Sequence, residues 1–189
     1  MCSWLFDTTL ITTCCYYFVG SCLRCGKCCT SFGVCLTSFD LIRIIIHTGM
    51  DPKDFVQFVP EQPDRERTEL AILIEGEFFL MVLKWNKKFD CCFYSKSGCH
   101  IYLVRPMLCR TYPFCLKSGK LTDTKSRACP DTWVPENTSL AQYCTDIIQY
   151  RKEVNRYNQL VKAWNKSGGG TPENFLNYIG KNGNARKSL

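Results

Sequence analysis

Four cysteines fall within eight residues near the start of the chain, and this density limits the fold more than any other feature. Cys22, Cys25 and Cys28 follow one another at intervals of three residues. A Cys-x-x-Cys spacing places two sulfurs on one side of a tight turn, close enough to bind one ion. Gly26 lets the backbone of such a turn fold closely against a metal. The segment therefore predicts a metal-binding turn.

The chain has 15 cysteines in 189 residues, a density close to that of secreted disulfide scaffolds. The odd total, three adjacent pairs and the lack of a secretory signal argue against secretion. We therefore expect a cytoplasmic location, where a reducing environment favours metal-binding or redox thiols over structural disulfides. The apolar run from Leu10 to Val19 is too short to span a membrane, so we interpret residues 1–21 as an N-terminal extension without a membrane span.

The formal net charge is +7, and the basic residues are scattered along the chain. Thiolates bound to metal are negative, so two four-cysteine zinc sites would bring the charge towards roughly +3. We favour solvated faces over a nucleic-acid patch and expect no nucleic-acid partner. Which protein or small molecule binds the chain, and its oligomeric state, stay open.

The hydrophobic pattern predicts an α+β fold: a small, mostly helical and loop-rich metal-binding domain with one β-hairpin and a long C-terminal amphipathic helix. The hairpin spans residues 68–83, with its turn at Glu75 and Gly76. Short helices are predicted from Ser38, as N-cap, to Gly49; from Asp51 through Phe55, Phe58 and Val59; and from Arg105 to Tyr112.

The long helix is predicted over residues 139–164, where apolar and aromatic residues recur every seven positions. We expect this seam to pack within the chain, because aromatic residues fit poorly into a dimeric coiled coil. A short helix over 171–179 follows a glycine-rich break. The predicted elements divide the chain into three parts. They are an N-terminal extension (1–21), a metal-binding domain that includes the long helix (22–166), and a flexible tail with a short helix (167–189).

A second group of cysteines, Cys91, Cys99 and Cys109, is too widely spaced for one turn and must be assembled by the fold. Arg105 and Arg110 flank Cys109. Cationic neighbours lower the pKa of a thiol and offset the charge of a thiolate–metal site. We therefore expect both arginines to compensate the charge of the centre.

These residues resemble the YkgJ-type cysteine-cluster family, described as a zinc- or iron-chelating domain. Its motifs run Cys-x-x-Cys-Gly-x-Cys-Cys, then Cys-x-Phe, then Cys-x-Ile-Tyr-x-x-Arg-Pro-x-x-Cys-Arg-x-(Phe/Tyr)-Pro-Phe, then one more Cys. The resemblance covers about residues 20–135. It implies that eight cysteines bind metal: Cys22, Cys25, Cys28, Cys29, Cys91, Cys99, Cys109 and Cys129. We place Arg105, Arg110, Tyr102 and Tyr112 around these ligands.

The sequence slightly favours an iron–sulfur cluster, [4Fe-4S], over zinc. The triple spacing is ferredoxin-like, and Cys129 is followed by Pro, as is the fourth ligand in bacterial ferredoxins. Four thiolates suit zinc equally well, which would make the chain a metal-stapled binding module. A thiol–disulfide redox protein ranks third. Adjacent Cys28 and Cys29, if extended, would point to opposite sides, so we expect only one of them at a given metal.

Whether the chain is an enzyme stays open. One branch of the family is similar to flagellin lysine N-methylases, which implies cluster-dependent methyl transfer from S-adenosylmethionine, and an oxidoreductase is the other option. No glycine-rich loop follows a strand here, so nothing independent supports S-adenosylmethionine binding.

Overall fold

The computed structural model of the chain describes residues 24–61, 68–118, 120–123, 128 and 140–183. These residues form five α-helices, two short 3₁₀ turns and seven strands that pair antiparallel. The α+β fold class with a long C-terminal helix is confirmed. The helices are α1 (Ser38–Thr48), α2 (Pro52–Phe55), α3 (Met107–Thr111), α4 (Leu140–Lys166) and α5 (Pro172–Asn182). The strands are β1 (Val56–Pro60), β2 (Ile72–Ile74), β3 (Glu77–Leu83), β4 (Tyr94–Ser95), β5 (Gly98–Cys99), β6 (Phe114–Lys117) and β7 (Lys120–Asp123). Within this described part, no helix is both long and apolar enough to cross a bilayer.

The predicted hairpin is β2 and β3, which meet at Ile74 and Glu77 across the Glu75–Gly76 turn. A third strand, β1, pairs with the other edge of β3 and gives the order β1-β3-β2. The prediction that Phe58 and Val59 continue the helix after Asp51 is wrong, because they lie in β1. Asp51 and Pro52 do start a helix, but the β-branched and aromatic run that follows pairs with β3 after one turn.

Helix α1 is fixed at both ends by local hydrogen bonds. Thr37, one residue before the predicted Ser38, is the N-cap: its hydroxyl accepts from the Asp40 N–H, and the Asp40 carboxylate accepts from the Thr37 N–H at 2.9 Å. Gly49 ends the helix at φ +69°, as its position after the apolar run predicts.

The long helix α4 packs within the chain, as predicted. Tyr157, Val161 and Trp164 are buried in the main core, and the Trp164 indole donates to the Leu73 carbonyl at 2.8 Å. Helix α5 joins the same core through Phe175 and Ile179, both fully buried. Ser139, residues 1–21 and the end of the tail (184–189) lie outside the described residues.

Two further hairpins, β4-β5 and β6-β7, were not predicted from the sequence. Strands β4 and β5 have two residues each and β6 and β7 four each, too few positions to show a clear alternating pattern. The predicted helix at 105–112 is α3, which begins after Pro106. The β4-β5 hairpin and α3 both matter for function, because they carry Cys99 and Cys109.

Candidate metal centre

The first cysteine group folds as a 3₁₀ turn over Lys27–Thr30. Gly26, at φ +74°, precedes the turn, and its carbonyl accepts from the Cys29 N–H at 2.9 Å. The sulfurs of Cys28 and Cys29 lie 4.0 Å apart. The expectation that these neighbours point to opposite sides is wrong, because it assumed an extended backbone, whereas a 3₁₀ turn advances each side chain by about a third of a revolution.

The second group reaches the first through the backbone and through two small elements. The Cys91 N–H donates to the Cys29 carbonyl at 2.8 Å, so the two groups are joined directly. Strand β5 ends at Cys99, which pairs with Tyr94 across the β4-β5 hairpin. Cys109 stands in the middle of α3. Four separate parts of the chain therefore converge on one place.

These parts enclose a cavity of about 80 Å³. All six described cysteines of the predicted ligand set line it: Cys25, Cys28, Cys29, Cys91, Cys99 and Cys109. The other two, Cys22 and Cys129, lie outside the described residues. Across the described ranges, no three cysteine, histidine or acidic side chains stand close enough together to hold a single ion. The structure thus places six cysteines in the lining of one cavity, and their role as ligands stays a prediction.

Two of the cavity thiols ionise near neutral pH. A hydrogen bond with the Cys29 thiol lowers the pKa of Cys28 to about 7, against partial burial, and Arg105 assists. A hydrogen bond with Cys92 likewise lowers the pKa of Cys91 to about 7. The pKa of Cys29 and that of Cys92 are raised in return. Burial raises the pKa of Cys99 and, more strongly, that of Cys109, so these two hold their protons in the absence of a cation.

Two guanidinium groups stack on one aromatic ring in the cavity wall. Arg24 lies 4.0 Å and Arg105 3.9 Å from the centre of the Tyr102 ring, and all three residues line the cavity. Arg105 also donates to the Tyr102 carbonyl at 2.6 Å. Arg110 does not line the cavity: it donates to the carbonyls of Leu103 and Arg105 and holds that turn together.

Aromatic side chains close the rest of the wall. Tyr94 packs so tightly over Gly26 that a Cβ there would overlap its ring. Tyr112 packs against Phe32, with ring centres 5.2 Å apart. The sequence placed Tyr102 and Tyr112 near the ligands but gave no role to Arg24, Phe32 or Tyr94. Only Arg24 carried a signal, since it stands between two cysteines of the motif.

The buried carboxylate of Asp40 in α1 connects α3 to α1 and, through Arg43, to α4. Asp40 is fully buried; one of its oxygens accepts from the Met107 N–H at 2.8 Å and from Arg43 at 2.5 Å. Arg43 in turn pairs with Glu153 of α4 through two bonds of 2.7 and 2.8 Å. Since Met107 begins α3, Asp40 fixes the start of the helix that carries Cys109.

The remaining described cysteines do not line the cavity, although Cys92 is hydrogen-bonded to Cys91, which does. Cys92 is exposed, Cys35 and Cys115 are partly buried, and Cys144 is buried in α4. None of these four lines it. None of these four belongs to the eight cysteines of the sequence motifs.

The fold and the site define a class: a small α+β protein whose cysteines, brought from distant segments, surround one cavity. The model of the CxxCxxCC family, described as "Putative zinc- or iron-chelating domain", matches residues 21–145. The chain belongs to this family, and membership supports metal binding without separating zinc from iron. No curated protein and no solved structure matches the chain.

Proposed function

We propose that this protein is an iron–sulfur protein whose cavity holds a thiolate-ligated cluster, of the [4Fe-4S] type, used for one-electron transfer. The observation that carries the proposal is the convergence of six cysteines on one cavity. Soft thiolate ligands select zinc, copper(I) or iron–sulfur clusters over hard cations.

The cavity fits a group larger than one ion. Its volume of about 80 Å³ exceeds the roughly 10–15 Å³ that a cavity needs to hold one water molecule. A zinc ion held by four sulfurs at about 2.3 Å needs no space of that size between its ligands. A cluster of several iron and sulfide ions does need such space.

The residues around the sulfurs suit a negatively charged group. Arg24 and Arg105 supply two positive charges in the wall and offset the charge of several thiolates. Tyr94, Tyr112 and Phe32 limit the access of water. A bound cluster supplies reversible one-electron chemistry, with a potential set by charge, hydrogen bonds and exposure.

A structural zinc site is the second candidate, favoured by the Cys25-x-x-Cys28 spacing and by the position of the cavity. Its walls come from segments far apart in sequence, so zinc would staple them together and the product would be a binding module. Cluster-dependent methyl transfer requires, in addition, binding of S-adenosylmethionine, which titration calorimetry tests directly.

The deciding experiment is anaerobic purification followed by measurement of iron, zinc and acid-labile sulfide, with a visible spectrum of the same sample. We expect about four iron and about four sulfide per chain, and absorption that bleaches on one-electron reduction. Zinc without sulfide would refute the cluster and would support a structural zinc site instead.

A further inference from the structure

Most of the net positive charge of the chain comes from two segments that line the cavity. Residues 22–35 and 91–112 contain five lysines and arginines and no aspartate or glutamate. The whole chain has 24 basic and 17 acidic residues, so 19 basic and 17 acidic residues lie outside these segments. The excess of positive charge is therefore concentrated in the segments of the site.

Several of these cations point outward from the turns that carry the cysteines. Lys27, between Cys25 and Cys28, and Lys96, in the β4-β5 turn before Cys99, are both exposed, as is Arg24. Ion pairs among the described residues involve Arg43, Lys53 and Lys162, and none involves these three cations. Lys27 and Lys96 are therefore available to a partner, whereas Arg24 is exposed but also stacks on Tyr102.

Large apolar side chains are exposed in the same segments. Leu103, in the turn between Tyr102 and Arg105, is 74% exposed, and Phe32, which also lines the cavity, is 37% exposed. We use the name cavity face for five exposed residues: Arg24 and Phe32, which line the cavity, and Lys27, Lys96 and Leu103, each of which stands within two residues of a lining residue. Exposed apolar residues among cations are the composition of a protein-binding surface, where apolar contacts are flanked by a charged rim.

We propose that the cavity face is a docking surface for an acidic protein partner, a surface rich in Asp and Glu with apolar or aromatic residues among them. Unpaired cations attract such a partner and orient it before contact, and Leu103 and Phe32 provide the apolar contact. Nucleic acid is the poorer match: tight binding to phosphates uses about six to ten cationic contacts, whereas this face offers three exposed cations beside apolar side chains. The inference goes beyond the proposed function and holds for either metal.

The probe is a fluorescently labelled random copolymer of glutamate and tyrosine, which combines negative charge with aromatic groups. Lys27→Glu with Lys96→Glu is compared with Lys152→Glu with Lys166→Glu, which makes the same change in net charge at exposed positions of α4. We expect the first pair of changes to weaken binding at least about tenfold and the second less than about twofold. Equal weakening by both pairs would overturn the proposal, because only net charge would then matter.

The contribution of the exposed apolar side chains is tested with a second pair of matched variants. Leu103→Ser removes a side chain that is 74% exposed on the cavity face, and Ile46→Ser removes one that is 79% exposed on α1. We expect Leu103→Ser to weaken copolymer binding about threefold and to leave binding of pure polyglutamate unchanged, with no effect of Ile46→Ser. These surface changes preserve the core, so they test the face even if the lysine variants lose metal.

A labelled oligothymidylate provides the competing result. Tighter binding of this strand than of the copolymer, lost in the same lysine variants, would overturn the acidic-protein proposal in favour of nucleic acid. Metal and sulfide content, measured on every sample, separates this outcome from failure of the cluster proposal, since the binding comparison stands whichever metal is found.

Discussion

At the scale of single residues, Gly26 combines two constraints that no other residue type satisfies. Its φ of +74° belongs to the left-handed region, and the space where a Cβ would stand is filled by the Tyr94 ring. Gly76 shares the positive φ, at +89°, but has nothing within 4 Å of its Cβ position. Substitution of the two glycines therefore distinguishes the effect of backbone strain from the effect of contact with the cavity wall.

Gly26→Ala is expected to lower both stability and metal content. Backbone strain costs about 1 kcal/mol, and displacement of Tyr94 opens the cavity wall. Gly76→Ala carries the strain alone, so it should lower the free energy of unfolding by about 1 kcal/mol and leave metal content unchanged. Urea unfolding and elemental analysis of both variants check this. Full metal content in Gly26→Ala would show that the contact with Tyr94 does not shape the site.

Thiol reactivity provides a second test at this scale. Because the pKa of Cys28 and that of Cys91 are lowered to about 7, their thiolate fractions rise as pH increases through 7 and not through 9. In chelator-treated protein, iodoacetamide should label these two before Cys99, with a midpoint near pH 7, as followed by peptide mass spectrometry. Cys92→Ala should raise the midpoint of Cys91 only. Labelling of both wild-type thiols only near pH 9 would contradict the hydrogen bonds between neighbouring thiols.

Ligand substitutions test the division of the cysteines. Cys25→Ala and Cys109→Ala should lose metal and destabilise the fold, because both sulfurs line the cavity. Cys144→Ala removes a buried sulfur of α4 that lies away from it, so metal content should be unchanged. Metal per chain, by elemental analysis, is the measurement. The assignment of ligands fails if all three variants lose metal equally.

At the scale of elements, the link between α1 and α4 depends on a buried ion pair. Glu153 is 3% exposed and holds Arg43 through two hydrogen bonds. Glu153→Ala leaves Arg43 with Asp40 alone, and we expect a loss of about 2–3 kcal/mol in unfolding free energy. Lys162→Ala breaks the exposed pair with Glu69, 3.3 Å long, and should cost less than about 1 kcal/mol. Urea titration compares them, and equal losses would show that burial does not strengthen the α1–α4 link.

How far the sequence predicts the elements depends on how local their causes are. The stop of α1, the β2-β3 turn and the period of α4 depend on neighbouring residues, so they were predicted, whereas the cap of α1 was placed one residue late, at Ser38 instead of Thr37. The strand β1 was missed because its partner β3 lies more than twenty residues later, and pairing overrode a helical start at Pro52. A turn at the first cysteine group was predicted, but its 3₁₀ geometry was not, because the spacing of the cysteines does not specify the backbone angles that orient Cys28 and Cys29.

At the scale of the whole molecule, the cavity is the point where distant parts of the chain meet. The first cysteine turn, the β4-β5 hairpin and α3 are small elements; among the described residues, a Cys91–Cys29 backbone bond joins the two cysteine groups and an Asp40–Met107 bond joins α3 to α1. Short strands and one-turn helices are marginal in isolation. A metal bound to their thiols would therefore contribute to folding as well as to function.

Removal of the metal should accordingly lower the melting temperature, by about 10 °C if binding contributes about 4 kcal/mol. The loss should be uneven. Amide hydrogen exchange after chelation should accelerate most at Cys29, Cys91 and Cys99, whose residues line the cavity, and least in α4 and α5, neither of which contributes a residue to its lining. The Arg43–Glu153 ion pair joins α1 to α4 independently of the thiols, so the backbone amides of these two helices should remain protected from exchange. Uniform acceleration across α4 would show that the metal supports the entire fold, whereas unchanged exchange at the cysteine turns would mean that these segments hold together without it.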